Sequence, residues 1–231
     1  MSGTTGTSQP ASMSAVEEAA DGRPRLRGWI HLCAACVFAI ACPVLAAQAP
    51  SGWDAAALGV YSVAIIALFT VSAAFHRVRW APAARRRMRR ADHATIFVAI
   101  AGTYTAVAGL ALRGWAQVLV LSLVWAGAAI GITLRQLWLD APKWAVAVPY
   151  VVVGWSALSV LPQLWRALGG GSFAMLLAGG AVYSAGAVVY ALRKPDLVPG
   201  VFGYHELFHA CTVVGAALHF AVIATYTLRT T

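Results

Sequence analysis

The sequence predicts an all-α membrane protein, a seven-transmembrane helix bundle with its N-terminus cytoplasmic and its C-terminus outside. Three observations predict it. Of 231 residues, 60% are hydrophobic and only 11% are charged, at a mean hydropathy of +0.72, whereas a soluble domain carries about 25% charged residues. Apolar runs of about 20 residues, the length that crosses the hydrocarbon core of a bilayer, recur along the chain. The basic residues between those runs fall almost entirely on alternate connections.

The spans read as roughly 28–49, 55–76, 93–112, 115–134, 144–162, 171–192 and 204–228. Pro43, Gly102, Gly109 and Pro149 lie inside them, which membrane helices tolerate better than soluble ones. Residues 1–22 are rich in Ser, Thr, Gly and Ala, with acids at Glu17, Glu18 and Asp21. They lack a basic segment leading straight into an apolar one, so they read as a disordered cytoplasmic tail and not as a signal peptide. Residues 23–231 form one membrane domain, with neither an internal repeat nor a sustained soluble segment. Cys33 and Cys36 make a CxxC without a second pair, the mark of small residues buried in a helix more than of metal or redox chemistry.

Direction follows from charge. Arg23, Arg25 and Arg27 precede the first span; seven arginines from Arg77 to Arg90 lie between the second and third; Arg135 and Lys143 follow the fourth, and Arg193 and Lys194 the sixth. The opposite side has Arg113, Arg166 and Arg229 alone. The positive-inside rule then places the N-terminus in the cytoplasm. The same mapping accounts for the net charge of +9 without a nucleic-acid partner: the Arg-rich loop has no interleaved aromatics beyond Trp80, and attraction to anionic headgroups explains it.

That topology gathers polar groups at one leaflet. His76 ends the second span with Ser72 one turn deeper on the same face, Asp92 and His93 open the third, and His205, Glu206 and His209 open the seventh. Ionisable groups at this depth are costly, which makes the gathering a functional site by default. His205 and His209, four apart, share one helix face. With His76 they supply three neutral imidazoles, a donor set suited to Zn2+ with a fourth position open to water. Such water has its pKa lowered to about 7. Asp92 is placed to manage its proton, and Ser72 to orient a ligand, water or substrate carbonyl.

The HExxH pattern at 205–209 is shared with zinc proteases, in which the Glu is the base. Here no acid follows Glu206 to complete such a ligand set, and Glu206 is turned about 100° from His205. Other readings are a non-enzymatic membrane sensor or receptor-like protein whose zinc ties helices together, and a bis-histidine haem site. A pore is disfavoured because the spans are polar only at one end.

Several segments together resemble the haemolysin III branch of the progestin and adipoQ receptor family. They are Pro24-Arg25-Leu26-Arg27-Gly28-Trp29-Ile30-His31, Ser72-Ala73-Ala74-Phe75-His76, Ala91-Asp92-His93-Ala94-Thr95-Ile96-Phe97 running to Ala101-Gly102-Thr103-Tyr104-Thr105, and Phe202-Gly203-Tyr204-His205-Glu206-Leu207-Phe208-His209 with His219-Phe220. The resemblance covers about residues 23–228. It implies seven helices, an inside N-terminus, and a zinc ion near the cytoplasmic face on His76, His205 and His209, with the family's motif Asp and Ser on Asp92 and Ser72. The likeness of that family to alkaline ceramidase-type enzymes implies hydrolysis of an amide or ester bond in a membrane lipid. Its bacterial members are linked to haemolysis by name and to lipid homeostasis by proposal, and the short N-terminal tail fits a bacterial inner-membrane protein. His31, His93 and His219 also fall in family-like positions, but take no metal role: His31 and His219 are expected off the cluster and His93 turned away from Asp92.

Overall fold

The computed structural model describes residues 24–49 and 52–230, so the tail assigned to residues 1–22 lies outside the described residues. Among the described residues seven α-helices follow one another: α1 (Trp29–Ala46), α2 (Gly52–Arg77), α3 (Pro82–Ala111), α4 (Gly114–Leu137), α5 (Lys143–Gly154), α6 (Leu161–Leu192) and α7 (Tyr204–Thr230), with a short 3-10 helix, Ser156–Val160, between α5 and α6. No β-strand occurs among the described residues, apart from an isolated bridge between Val198 and Phe202.

Among the described residues six helical runs are long and apolar enough to cross a membrane: Trp29–Ala46, Gly52–Arg77, Pro82–Ala111, Gly114–Leu137, Lys143–Leu192 and Tyr204–Thr230. The fifth spans 50 residues and covers the two stretches that the sequence divides into 144–162 and 171–192. Within it Gly169 has φ 73° and ψ 165°, a region essentially closed to residues with a Cβ. Side chains on either side of that glycine meet. Trp165 packs edge-on against Phe173 at 5.2 Å between centroids, Trp155 Nε1 donates to Ser184 Oγ at 2.9 Å, and the Lys143 ammonium lies 4.0 Å from the Tyr190 ring centre. The chain therefore folds back at Gly169, and α5 begins at the end of the bundle where α6 stops.

The bundle wears its apolar side chains outward as well as inward. Ile40, Val63, Val118 and Leu137 are 64–81% exposed. In water a surface of this kind would drive aggregation; in hydrocarbon it costs nothing, and the helices satisfy their own backbone groups. Of the seven exposed tryptophans among the described residues, all but Trp125 lie near helix ends. Trp29, Trp138 and Trp144 sit at the end bearing Arg27 and Lys143; Trp53, Trp115 and Trp165 sit at the other. Amphipathic indoles prefer the headgroup region, so two tryptophan belts mark the two faces of a multi-pass membrane protein.

Inside, α2 and α3 pack closely through small residues, with Ala57 and Ala64 facing Gly109 and Gly102, as expected where helices associate by van der Waals contact and not by exclusion of water. The main core joins Phe38 and Leu45 of α1 with Tyr61, Ile65 and Phe69 of α2 and Val222 and Ile223 of α7. The inward face of α1 carries His31, Ala34, Ala35, Phe38 and Cys42. Cys33 and Cys36 fall on its opposite face and are exposed, which corrects the expectation that they are buried: 3.6 residues per turn put them on the lipid side once 31, 34, 35 and 38 face the core.

Candidate metal centre

His76 comes from the last turn of α2, and His205 and His209 from the first two turns of α7. One ring nitrogen from each lies within 4.8 Å of the others, so the trio could hold a metal ion. His205 Nε2 and His76 Nε2 are 3.3 Å apart. Two nitrogens each about 2.0–2.1 Å from a tetrahedral zinc would stand about 3.3 Å apart, so the pair is already at ligand spacing. The ring centroids of His76–His205, His76–His209 and His205–His209 are separated by 4.8, 5.0 and 4.5 Å. An all-imidazole donor set of this shape fits zinc, and structural or catalytic use depends on what surrounds it.

What surrounds it is a cavity of about 640 Å3, within the range of ligand-binding sites. Ser72, His76, Asp92, His205 and His209, which the sequence placed at one depth, all line it. Ser72 and Asp92 are both buried, with the serine side chain beside the aspartate carboxyl. His93 also lines the cavity, but its Nδ1 meets the Arg89 carbonyl oxygen at 2.6 Å and its own carbonyl accepts from Tyr150 Oη at 3.2 Å. His219 lies far along α7, with Nε2 3.0 Å from the Leu176 carbonyl oxygen.

One residue differs from its sequence-based expectation. His31 is not off the cluster: its ring stacks on that of His209, with centroids 3.8 Å apart and planes 6° from parallel, and its other neighbour is the edge of Phe69. It is 2% exposed and stands outside the three-ligand group. No local signal marks it, because it depends on how α1 docks beside α7. The docking is guided by Gly28, whose φ of +80° opens α1; a Cβ there would lie 2.8 Å from Arg77 Cγ and 3.0 Å from His76 Cβ. A left-handed backbone costs a residue with a side chain roughly 1–2 kcal/mol, and here the added methyl would also press on the metal ligand.

Glu206 is turned from the cavity, as the helical spacing predicts. It is 1% exposed yet does not line the cavity. One carboxylate oxygen accepts from Arg27 Nε in an ion pair, and the other accepts from the Gly203 backbone N–H at 3.0 Å. Gly203 immediately precedes α7, so Glu206 forms half of a capping box and its charge sits favourably at the positive end of the helix. The acid of the HExxH pattern thus anchors the first turn of α7 to the segment before α1. Backbone bonds from Arg25 N to Gly200 O (3.0 Å) and from Leu26 N to Val201 O (3.3 Å) hold the same junction. Arg27→Met would leave a buried carboxylate without its cation, a change that typically costs about 3–5 kcal/mol. A melting curve of the purified variant should show a large fall in midpoint, and an unchanged midpoint would remove this role.

Fold and site define a class: an all-helical, multi-pass membrane protein with three imidazoles converging at one end of its bundle. Residues 22–220 match the model of a family described as haemolysin-III related, and the chain belongs to that family. It is 29% identical to the "Hemolysin-3" of Bacillus cereus over 174 residues (75% of this chain, 76% of that protein). It is 27% identical to the "Hemolysin-3 homolog" of Bacillus subtilis strain 168 over 186 residues (80% and 84%). The human "Monocyte to macrophage differentiation factor" is 25% identical over 181 residues (77% and 73%). The family suggested by the sequence motifs is therefore borne out.

Proposed function

We propose that this protein is a zinc-dependent hydrolase of a membrane lipid, cleaving an amide or ester bond at the cytoplasmic leaflet of a bacterial inner membrane and serving lipid homeostasis. The observation that carries this reading is the 3.3 Å separation of the His205 and His76 nitrogens, with His209 completing the trio in a cavity that also holds Asp92 and Ser72. Zinc bound there supplies Lewis acidity toward a carbonyl and an activated water. Asp92 is the group that accepts the proton from the attacking water and returns it to the leaving nitrogen or oxygen. Ser72, on the wall of the same cavity, orients the water or the substrate carbonyl. The apolar interior of the cavity takes the acyl chain and keeps competing water away from the reacting carbon. Lipid turnover by Asp92→Asn, measured beside its zinc content, is the test.

The fold-back at Gly169 supports seven crossings, with 144–162 and 171–192 as separate spans, and the distribution of basic residues supports a cytoplasmic N-terminus and an external C-terminus. Reporter fusions after Gly169 and at Thr231 should both report the outside, and fusions within 193–203 the inside. A cytoplasmic signal at Thr231 would overturn the orientation.

A second reading has its own support: α2 and α7 pack against each other little except through the histidine trio. Zinc would then be a cross-tie in a non-enzymatic sensor, and lipid composition would be indifferent to Asp92.

A further inference from the structure

The cavity that holds the histidines is strongly cationic at its mouth. Six basic side chains line it, namely Arg27, Arg85, Arg89, Arg135, Lys143 and Arg193, against only two carboxylates, Asp92 and Asp140. Three of the six are engaged. Arg27 pairs with Glu206. Arg89 bonds Asp140 Oδ1 at 2.8 Å and the Leu139 carbonyl at 3.0 Å. Arg135 donates to the carbonyls of Trp138 and Leu139. The other three, Arg85 of α3, Lys143 of α5 and Arg193 just after α6, have no carboxylate partner among the described residues. Lys143 is held between aromatic rings instead, 4.0 Å from the centre of Tyr190 and 5.2 Å from that of Tyr204. It also lies within electrostatic reach of Arg193, Arg27 and Arg89. Unneutralised cations crowded at a low-dielectric opening repel one another and focus a positive field, a cost that an anion relieves.

A positive-inside loop needs only that its cations face the cytoplasm, and Arg79, Arg86 and Arg87 do that: they are exposed, as Arg85 and Arg193 also are, but unlike those two they line no part of the cavity. Arg85, Lys143 and Arg193 come from three separate segments and open into one space. The face of α3 within that space reads, one turn after another, Arg85, Arg89, Asp92, Ile96, Ile100 and Tyr104. Charge gives way to the carboxyl beside the metal ligands, and then to apolar side chains. Beyond Tyr104, Trp155 and His219 a smaller space of about 50 Å3 continues among Val107, Leu164 and Leu176. The sequence cations, reactive group, hydrocarbon is the sequence of a phospholipid: phosphate, ester, acyl chain.

We propose that Arg85, Lys143 and Arg193 recognise a phosphate-bearing anionic headgroup, so that the molecule admitted to the cavity is an anionic phospholipid and not a neutral lipid such as a diacylglycerol or ceramide. The proposal deepens the lipid-hydrolase reading and rests on it for the reaction, but headgroup recognition is a property of binding alone. Guanidinium groups suit phosphate because they offer paired donors, while the ammonium of Lys143 adds a point charge.

The experiment uses the full chain in neutral detergent, with bound lipid counted by native mass spectrometry. Its probes are dioctanoyl phosphatidic acid, dioctanoylglycerol and inorganic phosphate. Wild type should prefer the phosphatidic acid to the glycerol by about tenfold or more. R85Q/K143Q/R193Q should bring the two probes within about twofold of each other, while R79Q/R86Q/R87Q, which removes the same charge from the surface, keeps the preference. K143Q alone should lose part of it, and a melting curve establishes that each variant is folded. Absence of preference in wild type, or equal loss in both triple variants, overturns the proposal. Inorganic phosphate binding as tightly as the phosphatidic acid would make free phosphate, not a lipid, the ligand and overturn it as well. Metal-stripped protein should keep the preference, so failure of the hydrolase reading leaves this result readable.

Discussion

His209→Ala protein should be purified with almost no zinc, against about one ion per chain for wild type. The residue is 3% exposed, stands between His205 and His31, and brings its ring within 5.0 Å of that of His76. Two imidazoles cannot close a protein zinc site, which takes at least three protein ligands. Stability should fall with the metal. An ion that binds only the folded state stabilises it by RT ln(1 + [L]/Kd), about 4 kcal/mol when free zinc is a thousandfold above Kd. Chelation of wild type should therefore lower its melting midpoint, and chelation of the variant should not. His219→Ala is the control: the residue lines the same cavity, packs against Tyr183 and is outside the ligand group, and its zinc content should match wild type. Equal zinc in wild type and His209→Ala would remove the centre.

Asp92→Asn should separate chemistry from metal binding. Asparagine keeps the size of the side chain and a carbonyl oxygen for the Ser72 hydroxyl, but it cannot take a proton from water. Zinc content should be unchanged because Asp92 is not one of the three ligands. Lipid hydrolysis should drop by about 10²–10⁴-fold, the usual contribution of a positioned general base. The readout is release of fatty acid from lipid by purified protein, with zinc determined on the same preparation. Full zinc together with undiminished hydrolysis would take the role from Asp92. Full zinc with no hydrolysis in wild type and variant alike would favour the cross-tie reading, in which the ion holds α2 against α7.

Much of this site was legible because short-range spacing suffices to read it. Two histidines four apart on a helix share a face wherever that helix goes, and Ser72 lies one turn from His76 for the same reason. That three helices bring these groups to one depth follows from counting spans, since each crossing alternates the end at which a helix starts. What could not be read is the azimuth of each helix. His31 was expected apart from the cluster because nothing local reports which way α1 is rotated; the structure stacks it on His209. The outward placement of Cys33 and Cys36 was hidden for the same reason. In lipid both faces of a helix are apolar, so the hydropathy contrast that would mark an inward face in a soluble protein is lost.

Glu206 shows the boundary most plainly. The sequence placed it in a pattern that other zinc enzymes use for catalysis, and helical geometry could say only that it is turned from His205. Its partner, Arg27, is 179 residues away, a contact that depends on the first and last helices meeting. By itself, then, the sequence determined that this chain is helical and membrane-embedded, and which imidazoles converge, because those properties depend on composition and on repeats within a few residues. Only the tertiary structure decided that Glu206 caps and clamps α7, that His31 supports His209, and that three unneutralised cations open into the same cavity. Each depends on the rotation and docking of helices distant in sequence, a balance of many small packing contacts that no local pattern encodes.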